Sequence, residues 1–84
     1  MNYRVILSRS ARKQMERISG EIETRVLARL SELEINPRPP GCKKLKNRDA
    51  WRIRVGDYRV IYEIHDKILQ VIVVTVGHRR EVYR

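Results

Sequence analysis

The spacing of apolar residues along the chain changes from two to between three and four and back to two, and each change marks an element. Near the N-terminus Tyr3, Val5 and Leu7 alternate with Asn2, Arg4, Ile6 and Ser8. That period predicts a short strand over residues 2–7. Ser8 or Ser10 then offers a side-chain oxygen to the free N–H groups of a first helical turn. Ala11, Met15, Ile18, Ile22, Val26, Leu30 and Leu33 follow at steps of three or four, with mostly charged residues opposite them. Ser19-Gly20 breaks this stripe, and Glu21 and Glu23 lie where carboxylates favour the positive end of a new helix. Two antiparallel helices are expected, about 9–18 and 21–35, sharing one apolar face that packs on a sheet.

Three prolines in residues 36–41 end the second helix, since proline lacks an N–H and restricts the residue before it. A basic loop, CKKLKNRD, follows from residue 42. Period two then returns. Trp51, Ile53 and Val55 share one face and Arg52 and Arg54 the other, while Gly56-Asp57 fits a two-residue hairpin turn. Tyr58, Val60, Tyr62 and Ile64 continue the core face, and Asp66-Lys67 marks another turn. Residues 68–76, ILQVIVVTV, are apolar on both faces, as in a central strand covered on both sides. The tail, GHRREVYR, leaves that strand through Gly77. The expected fold is α+β: an N-terminal strand, a helical hairpin and a three-stranded antiparallel meander, with the helices on one face of a small twisted sheet.

At 84 residues the chain makes a single domain, 1–84, with no room for a second core. A domain so small buries only about 60% of the surface its unfolded chain would expose, so a partner could add to its stability. The N-terminus shows no secretory pattern, and the longest apolar run is far below the ~20 residues of a membrane helix, so a cytoplasmic protein away from membranes is expected. The one cysteine, Cys42, has no second Cys to pair with and no metal-ligand spacing around it.

Charge changes the picture. The net charge is +9, and residues 38–59 carry eight basic side chains against two acidic ones. Such a local excess is the footprint of a polyanion site, nucleic acid first among candidates. Lys43, Lys44, Lys46 and Arg48 supply the loop part of it, and Arg80 adds to it from the tail.

The hairpin sets a sharper problem. A Gly56-Asp57 turn pairs Val55 with Tyr58 and puts Arg54 opposite Arg59, with Arg52 on the same face. Like charges so opposed cost up to ~1 kcal/mol. Guanidiniums fixed on two rigid strands can grip phosphate by forked hydrogen bonds, and a bound phosphate would offset the repulsion. The competing expectation is a surface ion-pair network with Asp57, Glu63 or Glu81. A tail folding back at Gly77 would bring His78, Arg79, Glu81 and Tyr83 toward the hairpin. His78 can carry a proton, and Tyr83 offers a stacking ring or a hydroxyl. No carboxylate cluster suits a two-metal nuclease, so neither metal nor cofactor is expected. RNA is the easiest target for such chemistry, because its own 2′-hydroxyl can attack the adjacent phosphorus. A simple RNA-binding module is disfavoured by the 6% aromatic content, since single-strand binders rely on stacking platforms.

WRIRVGDYRVIYEI (51–64) and VTVGHRREVYR (74–84), after a strand and a helical hairpin, resemble the RelE superfamily of toxin-antitoxin toxins, and the resemblance covers essentially the whole chain. It implies a RelE-like fold and a ribosome-dependent, metal-independent endoribonuclease. That enzyme would cut mRNA in the ribosomal A site by 2′-hydroxyl attack, leaving a 2′,3′-cyclic phosphate. By motif, Arg52 and Arg54 take the basic strand positions, Arg59 the arginine of the G-x-YR segment, Arg79 the arginine after VGH, and Tyr83 the tyrosine of EVY. These would bind phosphate, stabilise the transition state and position the nucleotide. Some members carry lysines where this chain has arginines in the first hairpin strand, so proton transfer is expected of His78 or Glu81. The resemblance also implies a RelB-like antitoxin wrapping the toxin in a hetero-oligomer, the toxin alone being a monomer, with mRNA and ribosomal RNA as further partners. The alternative is the ParE branch of the fold, which poisons DNA gyrase without cutting nucleic acid.

Overall fold

The computed structural model describes residues 2–78. Arg79, Arg80, Glu81 and Tyr83, all singled out from the sequence, lie outside the described residues.

The elements are β1 (Arg4–Leu7), α1 (Arg9–Glu16), α2 (Gly20–Ile35), β2 (Lys43–Lys44), β3 (Trp51–Val55), β4 (Tyr58–His65), a 3-10 turn (Asp66–Ile68) and β5 (Gln70–His78). They form one five-stranded sheet in the order β1-β5-β4-β3-β2, with β1 parallel to β5 and the other neighbours antiparallel. The fold is α+β, as the periods imply. No helix among the described residues is long and apolar enough to cross a membrane.

Local chemistry accounts for the element boundaries. Ser8 caps α1 by accepting from the Ala11 N–H at 3.1 Å. In the hairpin turn Gly56 takes φ +59°, a conformation open to glycine at little cost. The second helix ends at Ile35 with Asn36 extended before Pro37. The predicted helical stripe is the core: Ala11, Met15, Ile18, Val26, Leu30 and Leu33 are buried, with Ile22 packed against them. They meet Ile53, Val55, Val60, Tyr62, Val71, Val73 and Val76 from one face of the sheet. The second face carries Arg52, Arg54 and Arg59.

Three features differ from the sequence expectation. Lys43 and Lys44 form a short edge strand rather than loop, paired with Arg52 and Trp51. The last strand begins at Gln70, because Asp66–Ile68 turn as a 3-10 helix and Leu69 adopts a left-handed φ of 53°. That strand also does not end at Gly77 but runs on through His78. Within it, Ile61 pairs with Thr75 while Tyr62 pairs with Val73, so Val74 is an extra, bulged residue. The bulge lets Val73 and Val76, at odd spacing, both face the helices.

The proline-rich loop between α2 and β2 is fastened at several points. The Tyr62 hydroxyl donates to the Pro37 carbonyl at 2.7 Å. Arg38 forks onto Asp66 with contacts of 3.3 and 3.0 Å, and the Tyr3 hydroxyl donates to the same carboxylate at 2.6 Å. Arg38 also lies 5.2 Å over the Trp51 ring, and Lys44 lies 5.9 Å from it.

Candidate functional site

Strand register assembles the site. Arg54 is directly opposite Arg59, and Arg52 is opposite Ile61 on β4 and Lys43 on β2. Directly paired residues share a face, so Lys43, Arg52, Arg54 and Arg59 form a cationic cluster on the side of the sheet away from the helices. Arg59 is only 3% exposed, the one buried charged residue among those described, whereas Arg54 is exposed. Among the described residues neither Arg52 nor Arg54 has an ion-pair partner. Glu63, one of the three carboxylates that could have neutralised them, is hydrogen-bonded to His65 instead. Arg54 thus stands directly opposite Arg59, in the register that the turn implies.

Other parts of the basic footprint serve different ends. Arg38 is committed to Asp66, and Lys44 pairs with Asp49 at 3.5 Å. Their charges belong to the fold as much as to a surface. Lys46 and Arg48 are exposed in the loop before β3.

His78 lies beside the hairpin as the last residue of β5, without a fold-back at Gly77. It pairs with Tyr58, not with an arginine, and the two rings meet edge to face with centroids 5.5 Å apart. Tyr58 belongs to the helix-facing side with Val60 and Tyr62, so His78 lies there too, in a cavity it shares with Gln14, Arg17 and Ile18 of the α1 region. The residue opposite Arg59 is Gly77.

Two cations escaped notice in the sequence. Arg25 and Arg29 of α2 line a groove of about 370 Å³ together with Ala28, Val55 and Arg54, which extends the arginine cluster around the β3 edge. Their i, i+4 spacing was the available signal, but the groove needs the sheet edge beside the helix. The Arg29 guanidinium touches Glu32 at 3.2 Å, while its Nε is buried with no hydrogen-bond partner.

Shifted ionisations fall on the fastening of the proline loop. Hydrogen bonds from Arg38 and then Tyr3 hold the Asp66 carboxyl below its ordinary value, and the bond to Asp66 raises the Tyr3 phenol. Burial, above all, raises the Tyr62 phenol. Among the described residues no three His, Cys, Asp or Glu side chains are grouped to hold a metal ion.

Comparison with known proteins gives a consistent set. A sequence profile for the family described as ParE toxin of type II toxin-antitoxin system, parDE, matches residues 5–83. A RelE-like toxin protein of Escherichia coli is 28% identical over 81 residues, covering 94% of this chain and 85% of that protein. A chain of the archaeal RelE-RelB complex from Pyrococcus horikoshii OT3 superimposes with a TM-score of 0.84 at 29% identity, over 94% of this chain and 97% of that one. The toxin-antitoxin complex RelBE2 from Mycobacterium tuberculosis gives a TM-score of 0.83 at 26% identity, over 94% and 100%.

Proposed function

The chain belongs to the ParE toxin family of type II toxin-antitoxin systems, within the RelE superfamily, and from that premise we propose that it is a ribosome-dependent, metal-independent endoribonuclease acting on mRNA. The observation that carries this reading is the opposition of Arg54 and Arg59 on a face shared with Arg52 and Lys43. Rigid guanidiniums so grouped suit the oxygens of a scissile phosphate, and they stabilise the charge that builds there in the transition state.

In the proposed reaction the 2′-oxygen bonds to the adjacent phosphorus as the bond to the 5′-oxygen breaks. The products are a 2′,3′-cyclic phosphate and a 5′-hydroxyl, whose oxygen takes its proton from water as its bond to phosphorus breaks. Arg52, Arg54 and Arg59 hold the phosphate, with Arg79 and Tyr83 added by motif to stabilise the transition state and position the nucleotide. Arginine is too weak a base to take the 2′-hydroxyl proton. His78 faces the helices, so we assign that proton to Glu81, on its chemistry and its place in the motif. Lys43, Lys44, Lys46, Arg48 and Arg80 would dock ribosomal RNA, an attraction expected to weaken steeply with salt. The RelE-RelB and RelBE2 complexes support a RelB-like antitoxin as partner. Residues 1–84 would act as one domain.

A second reading is inhibition of DNA gyrase, favoured by the ParE name of the matching family. The two readings part on programmed ribosomes with a defined codon in the A site. A cut within that codon, ending in a cyclic phosphate, is the expected result. Intact message together with DNA breaks in cells would transfer the assignment to gyrase.

A further inference from the structure

A second feature of the arginine face lies at its far end. Along β4 the alternation Arg59, Ile61, Glu63, His65 stays on one side of the sheet, opposite the core residues Val60 and Tyr62. At ~3.3 Å per residue, Glu63 is about 13 Å from Arg59 and His65 about 20 Å. A single strand whose phosphate sits at the arginines would reach this end within a few nucleotides, at ~3.4 Å per stacked step.

A cavity of about 380 Å³ opens there, lined by Arg48, Asp49, Ala50, Glu63, Ile64 and His65. Its shape follows from the chain. The Ala50 carbonyl accepts from the Leu45 N–H at 2.9 Å, which fixes the loop beside the end of β4. Ala50 is 1% exposed and ends in a methyl group, so no long side chain fills the space in front of Glu63. His65 Nε2 lies 3.0 Å from Glu63 Oε1 and so orients the carboxylate, leaving Oε2 without a hydrogen bond among the described residues.

A carboxylate on a face otherwise built for phosphate is selective. It repels backbone oxygens and accepts from N–H donors. Adenine, cytosine and guanine each present an exocyclic amine, whereas uracil presents one N–H between two carbonyl oxygens. Unstacked bases are commonly recognised through these edges and against arginine planes, and Arg48 supplies such a plane at the cavity wall.

We propose that the Arg48, Ala50, Glu63 and His65 cavity is a nucleobase subsite that receives an amine-bearing base of the bound message and disfavours uracil. Glu63 Oε2 accepts from the amine, and His65 acts as a positioning residue for that carboxylate. The subsite rests on the nuclease reading and adds to it a determinant of sequence preference.

The test is cleavage of a message pool randomised around the A-site codon on purified ribosomes, with the RNA ends sequenced for wild type, Glu63→Gln and His65→Ala. Wild type should discriminate against uracil at one fixed position from the cut. Glu63→Gln, whose amide can donate to uracil oxygens, should reduce that discrimination roughly tenfold, the scale of one charged hydrogen bond. His65→Ala should reduce it by less at the same position. A wild-type enzyme that cuts with no bias against uracil overturns the subsite, as does an unchanged bias in Glu63→Gln. Unchanged bias with weakened antitoxin binding would assign the cavity to the protein partner and overturn it equally. Absence of any cleavage by wild type would remove the nuclease reading and the subsite with it.

Discussion

Arg54 is the residue at which stability and function pull apart. It faces Arg59 across the hairpin and finds no ion-pair partner among the described residues. Replacing it by threonine removes a like-charge pair and places a β-branched residue on a strand. Arg54→Thr is therefore expected to stabilise the free protein by up to ~1 kcal/mol in denaturant titrations. A destabilised variant would mean that the arginine's aliphatic stem packs more than its charge repels. The opposition itself was legible in the sequence, since a two-residue turn at Gly56-Asp57 fixes the register and allows no other partner. The face of His78 was not. Counting by twos from buried Val71 would put Val73, Thr75 and Gly77 inward and His78 outward, on the arginine side. The bulge at Val74 reverses that parity, and nothing in a strand apolar on both faces marks where a residue is inserted.

At the scale of elements, the helices were legible because each buries a stripe at helical spacing and each end carries a stop signal. The strand Lys43–Lys44 was not, since two lysines have no apolar alternation and owe their strand to pairing with Arg52 and Trp51. Nor was the attachment of the proline loop, which depends on Arg38, Asp66 and Tyr3 meeting from three distant parts of the chain. That fastening is pH-dependent. The folded Asp66 carboxyl ionises below its ordinary value of 3.8, so its contribution is full above that value and is lost as pH falls through the folded one. Tyr3 shifts the other way: its contribution holds below pH 10.0 and is lost as pH rises through its raised folded value. The melting temperature should therefore fall as pH drops below 3.8 in the wild type, and more shallowly in Asp66→Asn. Identical slopes for the two proteins would show that this carboxylate does not link folding to pH.

At the scale of the molecule, two helices shield one side of the sheet and leave the other for charge. The buried side holds the helical stripe and the strand valines. On its reverse, cations gather at the hairpin end, and a small cavity with a carboxylate lies at the opposite end of β4. A sheet of this kind acts as a rigid plate, on which a phosphate grip and a base contact keep a fixed separation. The most direct measurement is the single-turnover rate at which ribosome-bound message is cut by Arg54→Thr, at saturating ribosomes and with folding checked by melting. If the opposed arginines grip the scissile phosphate, the rate should fall at least tenfold, about 1.4 kcal/mol of transition-state stabilisation, although the protein melts no lower than wild type. A well-folded variant that cuts at the wild-type rate would contradict the phosphate grip and leave the arginine face a docking surface.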